Sequence, residues 1–317
     1  MLTFLATFLI ALVLTILITP MVRSFAPEIG AIDRPSERKV HTKNTPRTGG
    51  IAIFFGFSVA VLFGLLLGGV HGMKINPNPI LGILLGGSIV LLVGLLDDIR
   101  GLKPLVKLFW QLVGSGVAIY FGVEISFVTN PISGVLPLGF FAIPLTLLWL
   151  VGMTNAVNLI DGLDGLASGV ILIAAGMLFL VALRTHQPGA ALLMLALAGT
   201  ALGFLRYNFF PASIFLGDSG SYFLGFVLAA SAIVGVFKTT LVVALFVPLL
   251  ILAVPIFDTT FAVFRRLKSG KNLFSADDKH IHHLLLRAGL SQQQAVLSIY
   301  AACFFLGILA LFMSLPK

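Results

Sequence analysis

Residues 1–20 read MLTFLATFLIALVLTILITP, a run without a single charged side chain. A helix of about 20 apolar residues is long enough to cross the hydrocarbon core of a bilayer. The run lacks the leading positive charge and the small-residue cleavage site of a signal peptide, so we expect a retained span. The whole chain is 58% hydrophobic and only 10% charged, whereas soluble domains are about 25% charged. The sequence therefore predicts an integral membrane protein and excludes a soluble or disordered chain.

Similar apolar runs follow at intervals and predict about ten membrane-spanning helices. The fold class is therefore an all-α polytopic membrane protein, with residues 1–317 forming one domain. The ninth run contains Pro248 and Pro255, so we expect that helix to be broken near these prolines. The ten runs are residues 1–22, 49–69, 79–96, 104–121, 140–159, 166–183, 190–207, 219–236, 240–264 and 292–315.

The distribution of positive charge predicts the orientation of the chain. The first basic residue, Arg23, follows the first run, which places the N-terminus outside, and an even number of spans places the C-terminus outside as well. Five loops then lie in the cytoplasm and hold 16 of the 20 Lys and Arg residues. The net charge of +8 therefore reflects topology rather than nucleic-acid binding. These loops are residues 23–48, 97–107, 160–165, 206–218 and 265–291.

Carboxylates gather at the same predicted membrane face. The stretch GLLDDIRGLKP (94–104) carries Asp97 and Asp98 at the end of the third run. Adjacent carboxylates of this kind bind a divalent metal through oxygen or act as a base beside one. Lys107 follows Lys103 by four residues, so the next helix presents two ammonium groups on one face.

Two further motifs place polar groups at this face. In NAVNLIDGLDG (155–165) a polar residue recurs at every third position, and all four converge only if the helix ends near Gly162 and the backbone turns. In FLGDSGS (215–221) glycines flank Asp218 at the start of a span. That arrangement is typical of a phosphate site at a helix N-terminus, although Asp218 is equally a candidate N-cap.

Basic and histidine-rich loops complete the pattern. The stretch DKHIHHLL (278–285) contains three histidines, but no cysteine or HExxH motif accompanies them, so phosphate contacts fit better than a zinc site. The stretch HTKNTPRTGG (41–50) is basic and rich in turn residues. Its charge has a simpler explanation in setting topology.

Acidic metal ligands and basic phosphate contacts at one membrane face indicate an enzyme. We expect transfer of a phosphorylated group from a soluble nucleotide donor to a lipid acceptor. The alternative from another class is a secondary transporter, in which intramembrane acids and broken helices are also typical. Transporter sites lie near the bilayer midplane, however, and often between inverted repeats, and this sequence shows neither feature.

These motifs, in this order, resemble the polyprenyl-phosphate N-acetylhexosamine-1-phosphate transferase family. The resemblance implies a cell-membrane enzyme that uses Mg²⁺, or alternatively Mn²⁺, a UDP-N-acetylhexosamine donor and a polyprenyl phosphate acceptor, and that releases UMP. It implies contact with membrane lipids and none with nucleic acid, and it is compatible with a homodimer. The stretches HIHHLL and TPRTGG resemble the branch that transfers GlcNAc-1-phosphate. The alternative is the phospho-MurNAc-pentapeptide transferase branch of peptidoglycan synthesis, which usually has a triple-histidine run.

The resemblance also implies roles for individual residues. Asp97 and Asp98 would be catalytic, orienting or deprotonating the lipid phosphate. Asp218 would be the main Mg²⁺ ligand, with Asn158 beside it. The remaining residues would bind nucleotide or substrate, with Phe215 stacking on uracil and the basic groups holding phosphates. These residues are Asp161, Asp164, Phe215, Lys43, Lys107, His280, His282 and His283.

Overall fold

The computed structural model describes residues 1–33, 44–130, 134–235, 253–268 and 280–313. Within these ranges the chain is helical apart from two short hairpins. The helices are α1 (Leu2–Phe25), α2 (Gly49–Val70), α3 (Pro77–Arg100), α4 (Pro104–Tyr120), α5 (Ala142–Ile160), α6 (Leu166–Arg184), α7 (Pro188–Asn208), α8 (Gly217–Gly235), α9 (Ala253–Lys268), α10 (Ile281–Arg287) and α11 (Gln292–Met313).

Eight of these helices are long and apolar enough to cross a membrane, namely α1, α2, α3, α5, α6, α7, α8 and α11. The prediction of an all-α, multi-pass membrane protein is confirmed. The shorter α4 and α9 correspond to the fourth and ninth predicted runs, with residues 240–252 of the ninth outside the described ranges. Helix α9 is described from Ala253, with Pro255 as its third residue, and the residues before it, on which the predicted break depends, lie outside the described ranges. Pro248 lies outside the described residues.

The two hairpins are antiparallel, and the apolar runs gave no sign of them. Strand β1 (Ile32–Asp33) pairs with β2 (Thr45–Pro46), and β3 (Phe127–Asn130) pairs with β4 (Gly134–Pro137). Both lie in connections between helices, where chain segments can pair without interrupting a span. The first hairpin leads directly into Arg47 and the start of α2.

Helix α8 lies at the centre of the bundle and packs against α2, α3, α5 and α7. Its first turn is in backbone contact with two of these neighbours. A Cβ added at Gly94 would lie 2.6 Å from the backbone nitrogen of Ser219, and one added at Gly50 would lie 2.4 Å from that of Gly220. Small residues allow membrane helices to approach this closely. The start of α8 is therefore fixed between α2 and α3.

Successive helices reverse direction, which gathers several loops at one end of the bundle. The ends of α1, α3, α5 and α7 and the starts of α2, α4, α6 and α8 lie together there, as the hydrogen bonds between them show. Helix α11 is tied to the same end, since the hydroxyl of Tyr300 donates to the carbonyl of Gly165. We call this end the site end, because the motifs found in the sequence meet there.

Candidate active site

Side chains from four helices meet at the site end around a lysine. The ammonium Nζ of Lys107 donates to Asp97 Oδ2 at 2.9 Å and to Asp218 Oδ2 at 3.2 Å. Asn158 Nδ2 donates to Asp218 Oδ1 at 3.0 Å and so approaches the same carboxylate from α5. These four residues together with Asp98 are called the acidic centre. The sequence motifs predicted this meeting of α3, α4, α5 and α8.

The two adjacent aspartates of α3 have different surroundings. The carboxylate of Asp98 accepts hydrogen bonds from the backbone nitrogens of Asp218 (2.8 Å) and Ser219 (3.0 Å) and from Ser219 Oγ (2.8 Å). Its side chain has no solvent exposure. A carboxylate here satisfies the orphan N–H groups of α8 and faces the positive end of its dipole. Asp98 is thus a cap for α8 supplied by another helix, whereas Asp97 pairs with Lys107.

The glycine before Asp218 is required by this cap. Gly217 has a φ of +72°, a conformation that favours glycine. A Cβ at Gly217 would also lie 2.5 Å from Asp98 Oδ2 and 2.4 Å from the carbonyl oxygen of Arg47. The sequence Gly-Asp-Ser therefore serves to bring a backbone turn against the Asp98 carboxylate.

Arg47 reaches the acidic centre, and the sequence analysis missed it. Its guanidinium lies 3.7 Å from Asp98 Oδ1, 3.8 Å from Asp218 Oδ1 and 3.7 Å from Asp33 Oδ1. Burial alone would lower the pKa of Arg47, but these carboxylates raise it, and the net shift is upward. Its charge was attributed to topology, although the neighbouring Gly49 and Gly50 were a sign of close approach.

The segment that carries Arg47 is held by the backbone around Phe215. The nitrogen of Phe215 donates to the carbonyl of Pro46 at 2.8 Å, and the nitrogens of Gly49 and Gly50 donate to the carbonyls of Phe215 and Leu216. Phe215 is half-buried. Lys43, which the resemblance places near the nucleotide, lies outside the described residues.

The polar residues spaced by three along α5 separate into two groups. The helix ends at Ile160 and the backbone turns, as the sequence required for convergence. Asn158 belongs to the acidic centre, and Asp161 interacts electrostatically with Asp218. Asn155 instead donates to Gln111 Oε1 of α4 at 2.7 Å, and Asp164 accepts from the backbone nitrogen of Ala212 at 2.9 Å. The outer members of the series therefore hold neighbouring segments together.

Asp161 lies just beyond the end of α5, outside the membrane-spanning helix. Desolvation at its partly buried position and the charge of Asp218 raise the pKa of Asp161 to about 8. A carboxyl group in this state takes up or loses a proton near neutral pH.

Tyr222, which no motif singled out, donates from its hydroxyl to Asp218 Oδ2 at 3.1 Å. It lies one helical turn after Asp218, and that spacing was the signal available.

The three histidines lie in the histidine segment, residues 280–290. His280 and His282 are buried and His283 is half-buried. The rings of His280 and His282 are parallel with centroids 5.8 Å apart, and those of His282 and His283 are 4.2 Å apart. A Cβ at Gly162 would lie 2.4 Å from His282 Nε2, so the segment packs on the loop after α5. Burial and the neighbouring imidazoles lower the pKa of His282 to about 4, so this ring is neutral at pH 7.

Asp258 of α9 holds the start of the histidine segment. Its Oδ2 accepts from His280 Nδ1 at 2.9 Å and its Oδ1 from the backbone nitrogen of Ile281 at 2.9 Å. The sequence analysis gave this residue no role. An acid inside an apolar run is costly unless it is paired, so its isolation was a signal.

The acidic centre provides ligands suited to Mg²⁺. Asp97, Asp218 and Asn158 present carboxylate and amide oxygens, which are the donors that this hard cation prefers. Among the described residues, no three His, Cys, Asp or Glu side chains are grouped so that they could hold a metal ion. Mg²⁺ usually keeps several waters and binds through one or two carboxylates and substrate phosphates. The Asp97 and Asp218 carboxylates fit this pattern of ligation, and in this structure their oxygens accept hydrogen bonds from Lys107, Asn158 and Tyr222.

Comparison with known proteins gives a consistent family. The sequence profile described as "Glycosyl transferase family 4" matches residues 80–236. The chain is 40% identical over 312 residues to the "Probable undecaprenyl-phosphate N-acetylglucosaminyl 1-phosphate transferase" of Bacillus subtilis, covering 98% of the chain and 85% of that relative. It is 36% identical over 314 residues to the "Decaprenyl-phosphate N-acetylglucosaminephosphotransferase" of Mycobacterium tuberculosis H37Rv, covering 92% of the chain and 78% of that relative.

A lower similarity links the chain to the other branch considered above. It is 31% identical over 333 residues to the "Phospho-N-acetylmuramoyl-pentapeptide-transferase" of Desulforudis audaxviator, covering 96% of the chain and 95% of that relative. The relatives therefore include both branches, with the higher identities on the N-acetylglucosaminyl side. All three are named as transferases, and the polar residues gather at one end of the bundle, which argues against a transporter.

Proposed function

The chain belongs to glycosyl transferase family 4, and on that premise we propose that it transfers N-acetylglucosamine 1-phosphate from UDP-N-acetylglucosamine to a polyprenyl phosphate and releases UMP. Such a transfer is a first membrane step in the synthesis of a cell-envelope glycan. The observation that carries the proposal is the contact of Lys107 with both Asp97 and Asp218 at the site end. Cations among carboxylates at a membrane boundary suit a reaction between two phosphate groups.

The reaction forms one phosphorus–oxygen bond and breaks another. An oxygen of the lipid phosphate attacks the sugar-bearing phosphorus of the donor, and the bond from that phosphorus to the oxygen of UMP breaks. Lys107 and Arg47 supply fixed positive charge to the phosphoryl oxygens as this happens. Asp97 lies beside Lys107 and orients the acceptor phosphate or keeps it deprotonated.

Mg²⁺ is proposed as the cofactor, with Mn²⁺ as a substitute, and Asp218 and Asn158 would hold it. When bound it neutralises the negative charge that develops on the transferring phosphoryl group. Asp98 keeps Asp218 in place by capping α8, and Tyr222 and Asn158 orient the Asp218 carboxylate through hydrogen bonds. Asp161 faces the same region from the loop after α5.

The test is a direct assay of the purified protein. It is incubated with undecaprenyl phosphate, Mg²⁺ and radiolabelled UDP-N-acetylglucosamine, and labelled lipid and UMP are measured. We expect both products in equal amounts, and no product with EDTA or without the lipid. Labelled sugar released without lipid product would contradict the proposal.

The similarity to the pentapeptide transferase supports one alternative donor, UDP-MurNAc-pentapeptide. The same assay with this donor at equal concentration decides between the two branches. We expect the kcat/KM for UDP-N-acetylglucosamine to be at least tenfold higher than that for the other donor. A tenfold ratio corresponds to roughly 1.4 kcal/mol. The reverse preference would reassign the chain to peptidoglycan synthesis.

The proposal also places the site end in the cytoplasm, where UDP-sugars are made, with both termini outside. Single cysteines at Lys103, next to the site end, and at Lys74, at the opposite end, test this in a Cys303→Ala background. In intact cells an impermeant thiol reagent should label the cysteine at Lys74 and leave that at Lys103 unlabelled. The opposite pattern would invert the orientation.

A further inference from the structure

A buried carboxylate outside the acidic centre has both of its oxygens engaged by one short segment. Asp258 is 4% exposed and His280 is 5% exposed. The carboxylate accepts from His280 Nδ1 and from the backbone nitrogen of Ile281. A carboxylate of this kind only accepts, so Nδ1 of His280 carries the proton. Because a buried charge is costly unless it is paired, the two hydrogen bonds account for the presence of an acid here.

A series of contacts runs from Asp258 through the histidines to the loop after α5. The ring of His280 is parallel to that of His282, and His282 Nε2 lies against Gly162. Gly162 follows Asp161, which interacts electrostatically with Asp218. Packed groups thus join α9 to the loop after α5, and the link from that loop to the proposed metal ligand is electrostatic.

In the described part of the chain, Asp258 forms two hydrogen bonds with the start of the histidine segment. Helix α10 has only seven residues, and its first backbone N–H is the one that Asp258 accepts. The side chain of His282 lies among apolar groups, with Ile160, Leu166 and Ile299 around it. Apolar packing excludes water but sets direction poorly, whereas two hydrogen bonds to one carboxylate set both position and rotation.

We propose that Asp258 is a positioning residue for the transfer reaction: it holds the histidine segment against the loop 161–165 and fixes the protonated nitrogen of His280. The histidines then meet the donor phosphates in one arrangement. This inference rests on the proposed function and on the role that the family resemblance implies for these histidines, which is to hold the phosphates of the donor. Loss of the carboxylate weakens use of the donor more than it slows the chemical step, because the acidic centre stays intact.

Steady-state kinetics test this with Asp258→Ala, Asp258→Asn and the control Glu124→Gln, which removes a carboxylate far from the site. We expect the KM for UDP-N-acetylglucosamine to rise about tenfold in Asp258→Ala, because this variant removes both hydrogen bonds at the start of the histidine segment. The value of kcat should change less than threefold. Asp258→Asn should lie between, since its one amide oxygen can accept only one of the two hydrogen bonds. A fall in kcat at unchanged KM, or wild-type kinetics in both variants, would overturn the proposal.

The partner of the hydrogen bond supplies a second test. His280→Asn keeps a nitrogen donor close to the position of Nδ1, whereas His280→Ala removes it. We expect His280→Ala to raise the KM for the donor. His280→Asn should reverse most of that increase. Asp258→Ala should raise KM less in the His280→Ala background than in the wild type, because the shared contact is already absent. Fully independent effects would show that Asp258 does not act through His280.

Hydrogen–deuterium exchange tests the anchoring without any substrate. Asp258→Ala should speed exchange in a peptide covering residues 280–290 and leave residues 217–235 unchanged. If the wild type transfers no sugar phosphate, the proposed function fails while this measurement still decides the anchoring. If the wild type is active but exchange and KM are unchanged in Asp258→Ala, the positioning role alone is wrong.

Discussion

The acidic centre and the histidine segment lie at the same end of the bundle, but they are held in place differently. In the acidic centre, Asp98 receives three hydrogen bonds from the first turn of α8, and Gly94 brings two helix backbones into contact. The start of the histidine segment is held by the carboxylate of Asp258 and by packing of His282 on Gly162. The acidic centre is thus part of the packed helix bundle, whereas the histidine segment is held against the bundle by these contacts.

This difference predicts how the two regions respond to substitution. A change in the acidic centre should affect the chemical step or the fold itself, since the same residues carry the proposed chemistry and hold the helices together. A change around the histidine segment should affect how the donor is held and leave the fold intact. The following variants separate these outcomes.

The largest effect is expected for Asp218→Asn. The amide removes the charge that Lys107 and Arg47 face and the proposed metal ligand, while keeping the shape of the side chain. Activity should fall about 10³-fold, the upper range for removing an electrostatic group from a transition state. UMP release and thermal stability are measured together. Activity within tenfold of the wild type would leave Asp218 only a structural role.

Asp97→Asn and Asp98→Asn form a matched pair of adjacent residues. Asp97→Asn should lower activity about 10²-fold with little change in stability, as expected for a group that acts on the acceptor. Asp98→Asn should destabilise the protein by about 2 kcal/mol, because an amide nitrogen would face the N–H groups of α8 and leave one unsatisfied. Thermal unfolding in detergent measures this. Equal melting temperatures for the two variants would show that Asp98 is not a structural cap.

Gly162→Ala adds a single methyl group where the histidine segment packs on the loop after α5. The new Cβ would meet His282 Nε2, so the ring must move. The KM for the donor should rise up to about tenfold, since overpacking of this kind costs about 1–1.5 kcal/mol. Gly152→Ala on α5 is the control, because nothing lies within 4 Å of its added Cβ. Identical kinetics in the two variants would argue that the contact of His282 with this loop has no effect on the donor.

The smallest effect is a dependence of the histidine segment on pH. Burial and the neighbouring His283 and His280 lower the pKa of His282 from 6.5 to about 4, whereas Asp258 raises it. Unfolding therefore takes up a proton between these values, so packing of the segment is complete above about 6.5 and weakens as the pH falls toward about 4. The protection factors of residues 280–290, which correct for the slower intrinsic exchange at low pH, should fall from pH 7 to pH 5, and less in His282→Gln. A wild-type segment with the same protection at both values would contradict this.

The sequence predicted the bundle and most of the acidic centre because both depend on local patterns. Apolar runs of fixed length predict helices that reverse direction, and this reversal brings Asp97, Lys107, Asn158 and Asp218 to one end. The different roles of Asp97 and Asp98 could not be predicted. Adjacent residues on a helix point about 100° apart, and which of them faces α8 depends on how α3 is rotated in the bundle.

The contacts of Asp258 and Arg47 were missed for a related reason. Asp258 is 22 residues from His280, and the periodicity of a single helix does not relate positions that lie in different elements. Arg47 lies in a basic loop, where charge has a general explanation in membrane topology. Its approach to Asp98 depends on pairing between residues 46–50 and 215–216, which only the folded chain shows.

The close glycine contacts around α8 also decide where this enzyme can be re-engineered. Because Gly50 and Gly94 bring neighbouring backbones against its first turn, α8 cannot turn about its axis or slide without a clash. Asp218 is therefore at a fixed point. Under the proposed function, a donor with a larger or smaller sugar has to be accommodated by the histidine segment rather than by a movement of α8. Libraries aimed at a new sugar preference should vary the histidine segment and its anchor, and leave Gly50, Gly94 and Gly217 untouched.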